Sequence, residues 1–232
     1  MNHVGASPLP PGVMYFDAFV SPEEEATLAA ILDNGAWSTE LKRRVQHFGY
    51  RYDYKARTVT PDAYLGPLPQ WLGIFAERLV TEGYCRNLPD QVIANEYLPG
   101  QGISAHIDCV PCFDDTIVSI SLLSACEMVF RDVRGPAACR VLLQPRSGVL
   151  LRDSGRYGWT HEIPARKSDI VNGVRTDRSR RISLTFRKVI APKRSRSGRI
   201  TNAPDCPNSA PPDPDKVPPG RAASGKPGSS PS

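Results

Sequence analysis

The second half of the chain is a succession of short β-rich runs with no helical stretch between them, and this feature constrains the fold most. Gly, Pro and Asp or Asn punctuate the gaps between the runs. Parallel strands need a long crossover, usually a helix, so the pattern disfavours a parallel sheet with helical crossovers. Many short strands at fairly even spacing favour a barrel or a double-sheet jelly roll. In chain order, the runs are QVIANEY, TIVSISLL, CEMVFRDV, CRVLLQ, GVLLRD and RISLTFRKV.

Two helices are predicted before these strands. The sequence SPEE at 21–24 is typical of a helix start, with Ser at the cap, Pro at the first helical position and Glu three residues after the cap. Gly35 then ends the helix, and a second helix runs from near Leu68 to Gly83. The sequence therefore predicts a mainly β domain with flanking helices, an α+β protein. The residues predicted to be buried are Leu28, Ile31 and Leu32 in the first helix and Trp71, Leu72, Phe75 and Leu79 in the second.

The composition changes after Val189, which indicates the end of the folded domain. Residues 191–232 hold 10 of the 23 prolines, together with much Ser and Gly and almost no large apolar side chains. Such a segment cannot bury enough surface to offset the entropy lost on ordering, so we expect a disordered tail. We expect one domain over residues 13–190, preceded by a flexible N-terminus over 1–12.

The formal net charge is +5, but most of it lies in the tail. Residues 191–232 contain seven Lys or Arg and three Asp, so they carry +4 of this total. The remainder is nearly neutral, and the overall basicity is therefore weak evidence that the folded domain binds nucleic acid. The basic cluster of the tail either contacts phosphates or is simply solvated, and both interpretations stay open. This cluster comprises Lys193, Arg194, Arg196 and Arg199.

The chain has no sequence signal for a membrane or for export. No run of about 18 apolar residues is present, and the N-terminus lacks a basic stretch leading into an apolar one. We therefore expect no membrane association, a monomer, and a cytosolic location, or a nuclear one in a eukaryotic cell. The six cysteines are accordingly expected to be reduced thiols, mostly in the core. Cys109-x-x-Cys112 could hold a metal ion, but zinc normally needs a second such pair.

His106-x-Asp108 is the first motif that carries chemistry. Residues i and i+2 of an extended segment point to the same side, so both side chains can reach one metal ion. His161 is the best candidate for a second imidazole, because His3 lies near the terminus and His47 far upstream. Two imidazoles and one carboxylate leave three coordination positions open, as non-haem Fe(II) oxygenases require. Taken alone, His-x-Asp also fits a surface or core hydrogen-bonding role.

The last β-rich run places polar side chains at every second position. On a strand these residues all face one way, while the apolar residues between them face the other. Two inward guanidiniums would be costly without an anionic partner, and a dicarboxylate matches them as a fork. The alternative is an outward polar face on an edge strand. The four polar residues are Arg181, Ser183, Thr185 and Arg187.

Three segments, NEYLPGQGISAHID, WTHEI and RRISLTFR, resemble in this order the AlkB family of Fe(II)/2-oxoglutarate dioxygenases. The resemblance covers residues 13–189 and implies a double-stranded β-helix core, with Fe(II), 2-oxoglutarate and O₂ used to hydroxylate a C–H bond. The implied iron ligands, which are also the implied catalytic residues, are His106, Asp108 and His161. The implied co-substrate residues are Asn95, Tyr97, Ser183, Arg181 at the distal carboxylate and Arg187 near the keto-acid end.

The segment LKRRVQHFGYRYDYKAR, residues 41–57, interleaves six Lys or Arg with aromatic residues. Cations can contact phosphates while rings stack on an extruded base, and in AlkB-like proteins this region resembles the substrate lid. The alternative is an exposed strand or hairpin with ordinary charges. The candidate substrate-binding residues are Arg43, Arg44, His47, Phe48, Tyr50, Arg51 and Tyr52.

Two details of the resemblance concern the substrate. Family members that repair alkylated bases commonly have an acidic residue two positions after the metal Asp, and Val110 in this position argues against direct repair of methylated adenine or cytosine. The sequence motifs are most similar to those of the branch that hydroxylates modified wobble uridines in tRNA. We therefore expect hydroxylation or oxidative dealkylation of a modified or damaged nucleobase in DNA or RNA. The alternatives are a protein side-chain hydroxylase or demethylase on the same fold and a non-catalytic jelly-roll binding module.

Overall fold

The computed structural model describes residues 9–171 and 173–190. The expected disordered tail over 191–232, with its basic cluster, lies outside the described residues, and so do the first eight residues of the expected flexible N-terminus. Within the described part of that N-terminus, Leu9 packs against a core cluster. Gly12 makes a turn with φ of 85°, where a β-carbon would lie 2.1 Å from the carbonyl oxygen of Arg152.

The described residues form three α-helices, one short 3-10 helix at Pro61–Ala63, and twelve strands. The helices are α1 (Pro22–Asn34), α2 (Gln70–Thr81) and α3 (Asp153–Tyr157). The first six strands are β1 (Val13–Phe16), β2 (Arg44–Phe48), β3 (Gln91–Tyr97), β4 (Ile103–His106), β5 (Phe113–Leu122) and β6 (Cys126–Asp132). The others are β7 (Ala138–Leu143), β8 (Gly148–Leu151), β9 (Trp159–Ile163), β10 (Ser168–Val171), β11 (Val174–Asp177) and β12 (Arg181–Val189).

Helix α1 begins with the expected capping box. The hydroxyl of Ser21 accepts a hydrogen bond from the backbone N–H of Glu24 at 3.2 Å, and the Glu24 carboxylate accepts one from the N–H of Ser21 at 2.9 Å. Helix α2 starts after Pro69, slightly later than expected, because Pro69 supplies the extended cap residue. The expected burial is confirmed for Leu28, Leu32, Leu72, Phe75 and Leu79, whereas Ile31 and Trp71 are only half-buried.

A six-stranded antiparallel sheet in the order β1-β8-β5-β12-β3-β2 forms the larger layer. Alternate residues of its strands face helices α1 and α2, and these contacts make the first hydrophobic cluster. Ile182, Leu184 and Phe186 of β12 belong to this cluster. The neighbouring positions of β12 therefore face the opposite side, away from the helices.

A four-stranded antiparallel sheet in the order β4-β9-β6-β7 packs over that opposite side. The second hydrophobic cluster lies between the two sheets and includes Phe130 and Ile163 from the smaller sheet and Ile117 and Val149 from the larger one. This double-sheet arrangement confirms the expected mainly β, jelly-roll fold with flanking helices. Strands β10 and β11 form a separate hairpin. None of the helices in the described part of the chain has the length and apolar character needed to cross a membrane.

Candidate active site

The three residues expected to bind iron come together between the sheets. His106, the last residue of β4, lies directly opposite His161 of β9 in the antiparallel register, and their ring centroids are 4.3 Å apart. Asp108 follows β4 in the loop, and its carboxylate oxygen is 3.7 Å from Nε2 of His161. The possible ligand atoms of all three residues lie within 4.8 Å of one another. Cross-strand pairing brings together two imidazoles that are far apart in the sequence.

Both histidines are in the form that a metal ion binds. Nδ1 of His106 donates a hydrogen bond to the carbonyl oxygen of Ser104 at 2.7 Å, which leaves Nε2 with its lone pair facing the site. Burial lowers the pKa of His106 and lowers the pKa of His161 to about 3. Both imidazoles are therefore neutral near pH 7, as metal coordination requires.

Asp108 is ionised in this site. Burial alone would raise the pKa of Asp108, but the positive charge of Arg187, followed by the effects of His161 and His106, lowers it below its ordinary value. Nη2 of Arg187 donates to the carboxylate at 2.6 Å. One carboxylate with two neutral imidazoles is the donor set of the Fe(II) facial triad, so the residues fit this metal.

Arg156 of α3 holds the backbone beside Asp108. Its guanidinium donates to the carbonyl oxygen of Asp108 at 2.9 Å and to that of Cys109 at 3.3 Å, and its side chain is among the largest that are fully buried. Helix α3 leads directly into β9, which carries His161. Arg156 thus ties the elements that supply two of the three ligands. The sequence does not predict this role, because no local pattern distinguishes Arg156 from a surface arginine.

Arg181 lies on the same face of β12 as Arg187, the pocket side of the large sheet that the smaller sheet covers. It is 2% exposed, and its Nη2 donates to the hydroxyl of Ser121 at 2.8 Å. Its Nε and Nη1 are buried without a hydrogen-bond partner, and so is Nε of Arg187. Unpaired buried donors on a cation are expensive, so these atoms fit an anionic ligand such as a dicarboxylate.

The other expected co-substrate residues line the same face. In the register between β12 and β3, Tyr97 lies opposite Arg181 and Asn95 lies opposite Ser183. The guanidinium of Arg181 lies over the ring of Tyr97, 5.3 Å from its centroid. Asn95 accepts a hydrogen bond from Nε of Arg43 at 3.0 Å through its side-chain oxygen, so its amide N–H groups can donate toward the pocket. The inward polar face expected for β12 is therefore present, on a central strand and not on an edge.

The basic and aromatic segment over 41–57 divides between two sides of the large sheet. Arg44 makes a double hydrogen bond with Glu96, at 2.6 and 2.7 Å, and Phe48 packs against Trp71 with ring centroids 5.2 Å apart. These two side chains lie on the helix-facing side, where they stabilise the fold. Their expected role in substrate binding stays a prediction, and they lie on the side of the large sheet opposite Arg181 and Arg187.

The pocket-facing part of this segment comprises Arg43, His47 and Tyr52. The backbone N–H of Tyr52 donates to Nδ1 of His47 at 3.4 Å, and the Tyr52 ring lies 5.9 Å from that of Phe113. Tyr50 pairs with Tyr64 at 5.0 Å. Arg51 is exposed and pairs with Glu40 at 2.6 Å. The substrate-binding role of these five residues of the segment stays a prediction. They are Arg43, His47, Tyr50, Arg51 and Tyr52.

The expectation that the cysteines are all reduced is wrong for two of them. Cys109 and Cys112 form a disulfide, because the turn after Asp108 brings their Cα atoms to 5.3 Å, within the range that a disulfide requires. Both sulfur atoms lie against the carbonyl oxygen of Arg57, at 3.3 Å for Cys109 and 3.7 Å for Cys112. Three other cysteines are buried thiols outside any disulfide, as expected, and Cys206 lies outside the described residues. These thiols are Cys85, Cys126 and Cys139.

Comparison with known proteins agrees with this geometry. The model of the 2OG-Fe(II) oxygenase superfamily matches residues 34–187. The chain belongs to this superfamily. Mouse tRNA (carboxymethyluridine(34)-5-O)-methyltransferase ALKBH8 is 38% identical over 81% of this chain, and the Arabidopsis thaliana alkylated DNA repair protein ALKBH8 homolog is 37% identical over 77%. This oxygenase therefore resembles the AlkB homologues, as the motifs indicated.

The matched relatives differ in length from this oxygenase. The chain spans 32% of the mouse relative and 58% of the Arabidopsis relative. An uncharacterized protein, L905 of Acanthamoeba polyphaga mimivirus, is 32% identical over 75% of this chain and 83% of its own length. A solved structure of OsALKBH1 has a TM-score of 0.58 at 18% identity and covers 79% of this chain and 100% of that one, which supports the fold.

The superfamily requires Fe(II), 2-oxoglutarate and O₂, and this chain has matching groups for the first two. The neutral imidazoles and the ionised carboxylate fit Fe(II). The unpaired donors of Arg181 and Arg187 fit the carboxylates of 2-oxoglutarate.

Proposed function

We propose that this oxygenase hydroxylates or oxidatively dealkylates a modified or damaged nucleobase in DNA or RNA, with Fe(II), 2-oxoglutarate and O₂. The observation that carries the reaction class is the combination of a three-residue metal site with buried guanidiniums that lack hydrogen-bond partners. Each feature on its own also fits a protein that only binds a metal ion or only binds an anion. Together, on two sheets that pack against each other, they meet the two separate requirements of a 2-oxoglutarate oxygenase.

Each residue of the site has a distinct task in this proposal. His106, Asp108 and His161 would hold the iron, and Arg187 orients the Asp108 carboxylate through the 2.6 Å hydrogen bond. Arg181 would bind a carboxylate of the co-substrate with the donors that it does not use on Ser121. Bound Fe(II), with 2-oxoglutarate and O₂, supplies the oxidation of a C–H bond, and the enclosing sheets exclude water from it.

The nucleobase class is supported by the relatives and by the chemistry of the basic and aromatic segment over 41–57. The mouse relative is named for a modification of tRNA uridine and the Arabidopsis relative for repair of alkylated DNA. The methyltransferase named for the mouse protein is not proposed for this chain, which spans about a third of it. Tyr50 and Arg51 offer a ring and a cation at the outer end of β2, where a base and its phosphate can be bound. We further propose a monomer that acts in the cytosol or nucleus.

The proposal is tested by incubating the protein with Fe(II), 2-oxoglutarate and one of several nucleic acids, and measuring succinate. Alkylated oligonucleotides and total tRNA serve as substrates, with mass spectrometry of their nucleosides before and after. Asp108→Asn is the matched control, since it keeps the shape but removes the charge that binds the metal. We expect succinate to rise with at least one nucleic acid and to be lost in Asp108→Asn. Succinate formation that every nucleic acid leaves unchanged would contradict the substrate class.

A charge variant separates a nucleic acid from a protein substrate. Arg51 is exposed and its ion pair with exposed Glu40 adds little to stability, so Arg51→Gln should fold normally. A nucleic acid substrate predicts a higher KM in Arg51→Gln and a weaker dependence of KM on salt concentration. A protein side-chain substrate predicts unchanged activity. Arg44 is unsuitable for this comparison because it pairs with buried Glu96.

A further inference from the structure

Tyr54 has a buried hydroxyl group without a hydrogen-bond partner. The residue lies in the loop over 49–60, which joins β2 to the short 3-10 helix. Its ring packs against His47, with centroids 5.7 Å apart, and against Tyr52 at 5.2 Å. A buried hydroxyl that makes no hydrogen bond is destabilising, so the loop would gain stability if a ligand paired with it.

The surroundings of this hydroxyl are cationic. Charges on Arg43 and Arg187 act on Tyr54, and Tyr97 and Tyr52 are close enough to contribute as well. Burial raises the pKa of Tyr54 to about 12, so the group stays protonated and is a donor. The buried Tyr54 hydroxyl has no hydrogen-bond partner among the described residues, and an anion held by the guanidinium groups would supply an acceptor for its O–H.

Three other donors without partners belong to the residues expected to bind the co-substrate. Arg181 and Arg187 account for three of the six such buried atoms in the described residues, and Tyr54 adds a fourth from a different element. All four are donors. Arg181 and Arg187 come from the central strand β12, whereas Tyr54 comes from the loop over 49–60.

We infer that the Tyr54 hydroxyl donates a hydrogen bond to the bound 2-oxoglutarate, so that the co-substrate fixes the loop over 49–60. The inference rests on the proposed function, because it requires a dicarboxylate in the pocket. It adds a co-substrate residue that no motif identifies and that lies on the element expected to receive the substrate. The substrate surface is therefore complete only after 2-oxoglutarate has bound.

The internal contacts of the loop are consistent with this role. The carboxylate of Asp53 accepts hydrogen bonds from the backbone of Lys55 and Ala56, at 2.8 and 2.9 Å, so the tip keeps its own shape. These bonds do not attach the tip to the sheets. Tyr52 and Val59 pack against the second core cluster on either side of the tip, and a hydrogen bond from Tyr54 to a ligand would add an attachment at the tip itself.

Binding of 2-oxoglutarate to Tyr54→Phe tests the inference. The protein is loaded with Mn(II), which does not turn over, and titrated without oxygen by calorimetry. Hydrogen bonds to charged groups have typical strengths that correspond to about 10- to 100-fold in affinity, so we expect a loss in this range. Tyr84→Phe is the matched control, because Tyr84 stacks on Phe16 in the helix-facing core and should bind 2-oxoglutarate like the unaltered protein.

Limited proteolysis gives a second readout that does not depend on turnover. Lys55 and Arg57 are exposed trypsin sites in the loop. In the Mn(II) form, 2-oxoglutarate should slow cleavage at both sites in the unaltered protein and in Tyr84→Phe. It should give little protection in Tyr54→Phe even at a concentration that saturates the pocket.

Arg181→Met separates failure of the inference from failure of the proposed function. If Arg181→Met weakens 2-oxoglutarate binding but Tyr54→Phe binds it as tightly as the unaltered protein, the inference is overturned and the proposed function stands. If neither the unaltered protein nor any variant binds 2-oxoglutarate, the proposed function itself fails. Weaker binding in both variants, with loop protection lost in Tyr54→Phe, supports the inference.

Discussion

Arg181 is a residue whose fitness for co-substrate binding lowers the stability of the folded protein without ligand. Its guanidinium is 2% exposed, and two of its nitrogen atoms lack partners. Arg181→Met would keep most of the packing volume and remove these unpaired donors, so we expect the free energy of unfolding without ligand to rise by about 1–2 kcal/mol. Urea unfolding without 2-oxoglutarate measures this change. A lower free energy of unfolding in the variant would show that the Ser121 hydrogen bond outweighs the unpaired donors.

Arg156 is a positioning residue, since it acts on Asp108 through the backbone carbonyl. Groups that orient metal ligands typically contribute 10- to 100-fold to metal affinity, so we expect Arg156→Met to bind Mn(II) about 10-fold more weakly. Arg152→Met is the control, because Arg152 is an exposed neighbour at the start of α3. The d–d spectrum of the Co(II) form should also change in Arg156→Met only. Equal Mn(II) affinity in the two variants would argue against a positioning role.

The local chemistry of these residues was only partly predictable. His106 and Asp108 share a short motif, and Arg181 and Arg187 share a strand period, so the sequence alone indicates them as candidates. Arg156 and Tyr54 have no such spacing. Their roles depend on which backbone carbonyls or unpaired donors the fold brings near them, and that is a property of tertiary packing. Arg44 shows the converse, because a strand alternates its faces and Arg44 lies on the face away from the pocket.

At the scale of elements, the turn after β4 is closed by a disulfide. A cross-link over such a short loop lowers the entropy of the unfolded chain, which raises the free energy of unfolding by about 1–2 kcal/mol in the chain-entropy model. We therefore expect reduction to lower the free energy of unfolding by this amount. The double variant Cys109→Ser/Cys112→Ser should show no response to a reductant. The measurement is urea unfolding with and without dithiothreitol, and an equal response in the double variant would assign the effect to another cysteine.

The six β-rich runs found in the sequence correspond to strands β3, β5, β6, β7, β8 and β12. These strands have buried, branched side chains, which give a clear pattern. Strand β1 and the β10–β11 hairpin were not predicted, because they are four residues long and β11 is exposed throughout. Short strands of this kind are stabilised by their partner strands and not by their own sequence.

At the scale of the whole molecule, buried neutral histidines make stability depend on pH. Burial, then the charges of Arg51 and Arg187, lower the pKa of His47 to about 4, against about 6.5 in an unfolded chain. As pH falls, the unfolded state binds the proton before the folded state does. The free energy of unfolding is therefore unaffected by His47 titration above about pH 6.5 and decreases between about pH 6.5 and pH 4. His106 and His161 act in the same direction in the metal-free protein.

His47→Asn should reduce this pH dependence, since the amide oxygen can accept the hydrogen bond from Tyr52 without titrating. Near pH 5, we expect the slope of unfolding free energy against pH to fall by about 1.4 kcal/mol per pH unit, which corresponds to one proton. The slope is measured by urea unfolding of the metal-free protein between about pH 4.5 and pH 7, a range that lies around the folded and unfolded pKa values of His47. An unchanged slope would mean that His47 is protonated equally in both states.

The position of β12 governs how the chain can fold during synthesis. This strand is the last of the described strands to be made, yet it lies between β5 and β3 in the middle of the large sheet. A nascent chain that lacks it has two separate groups of strands, with their inner edges unpaired. Closure joins residues that are far apart in sequence, as in the pairing of Ile182 with Leu122 and Glu96, which makes late and slow folding the expected outcome. Until β12 emerges, the open edges are exposed to aggregation, and chaperone protection during translation is of most value at that stage.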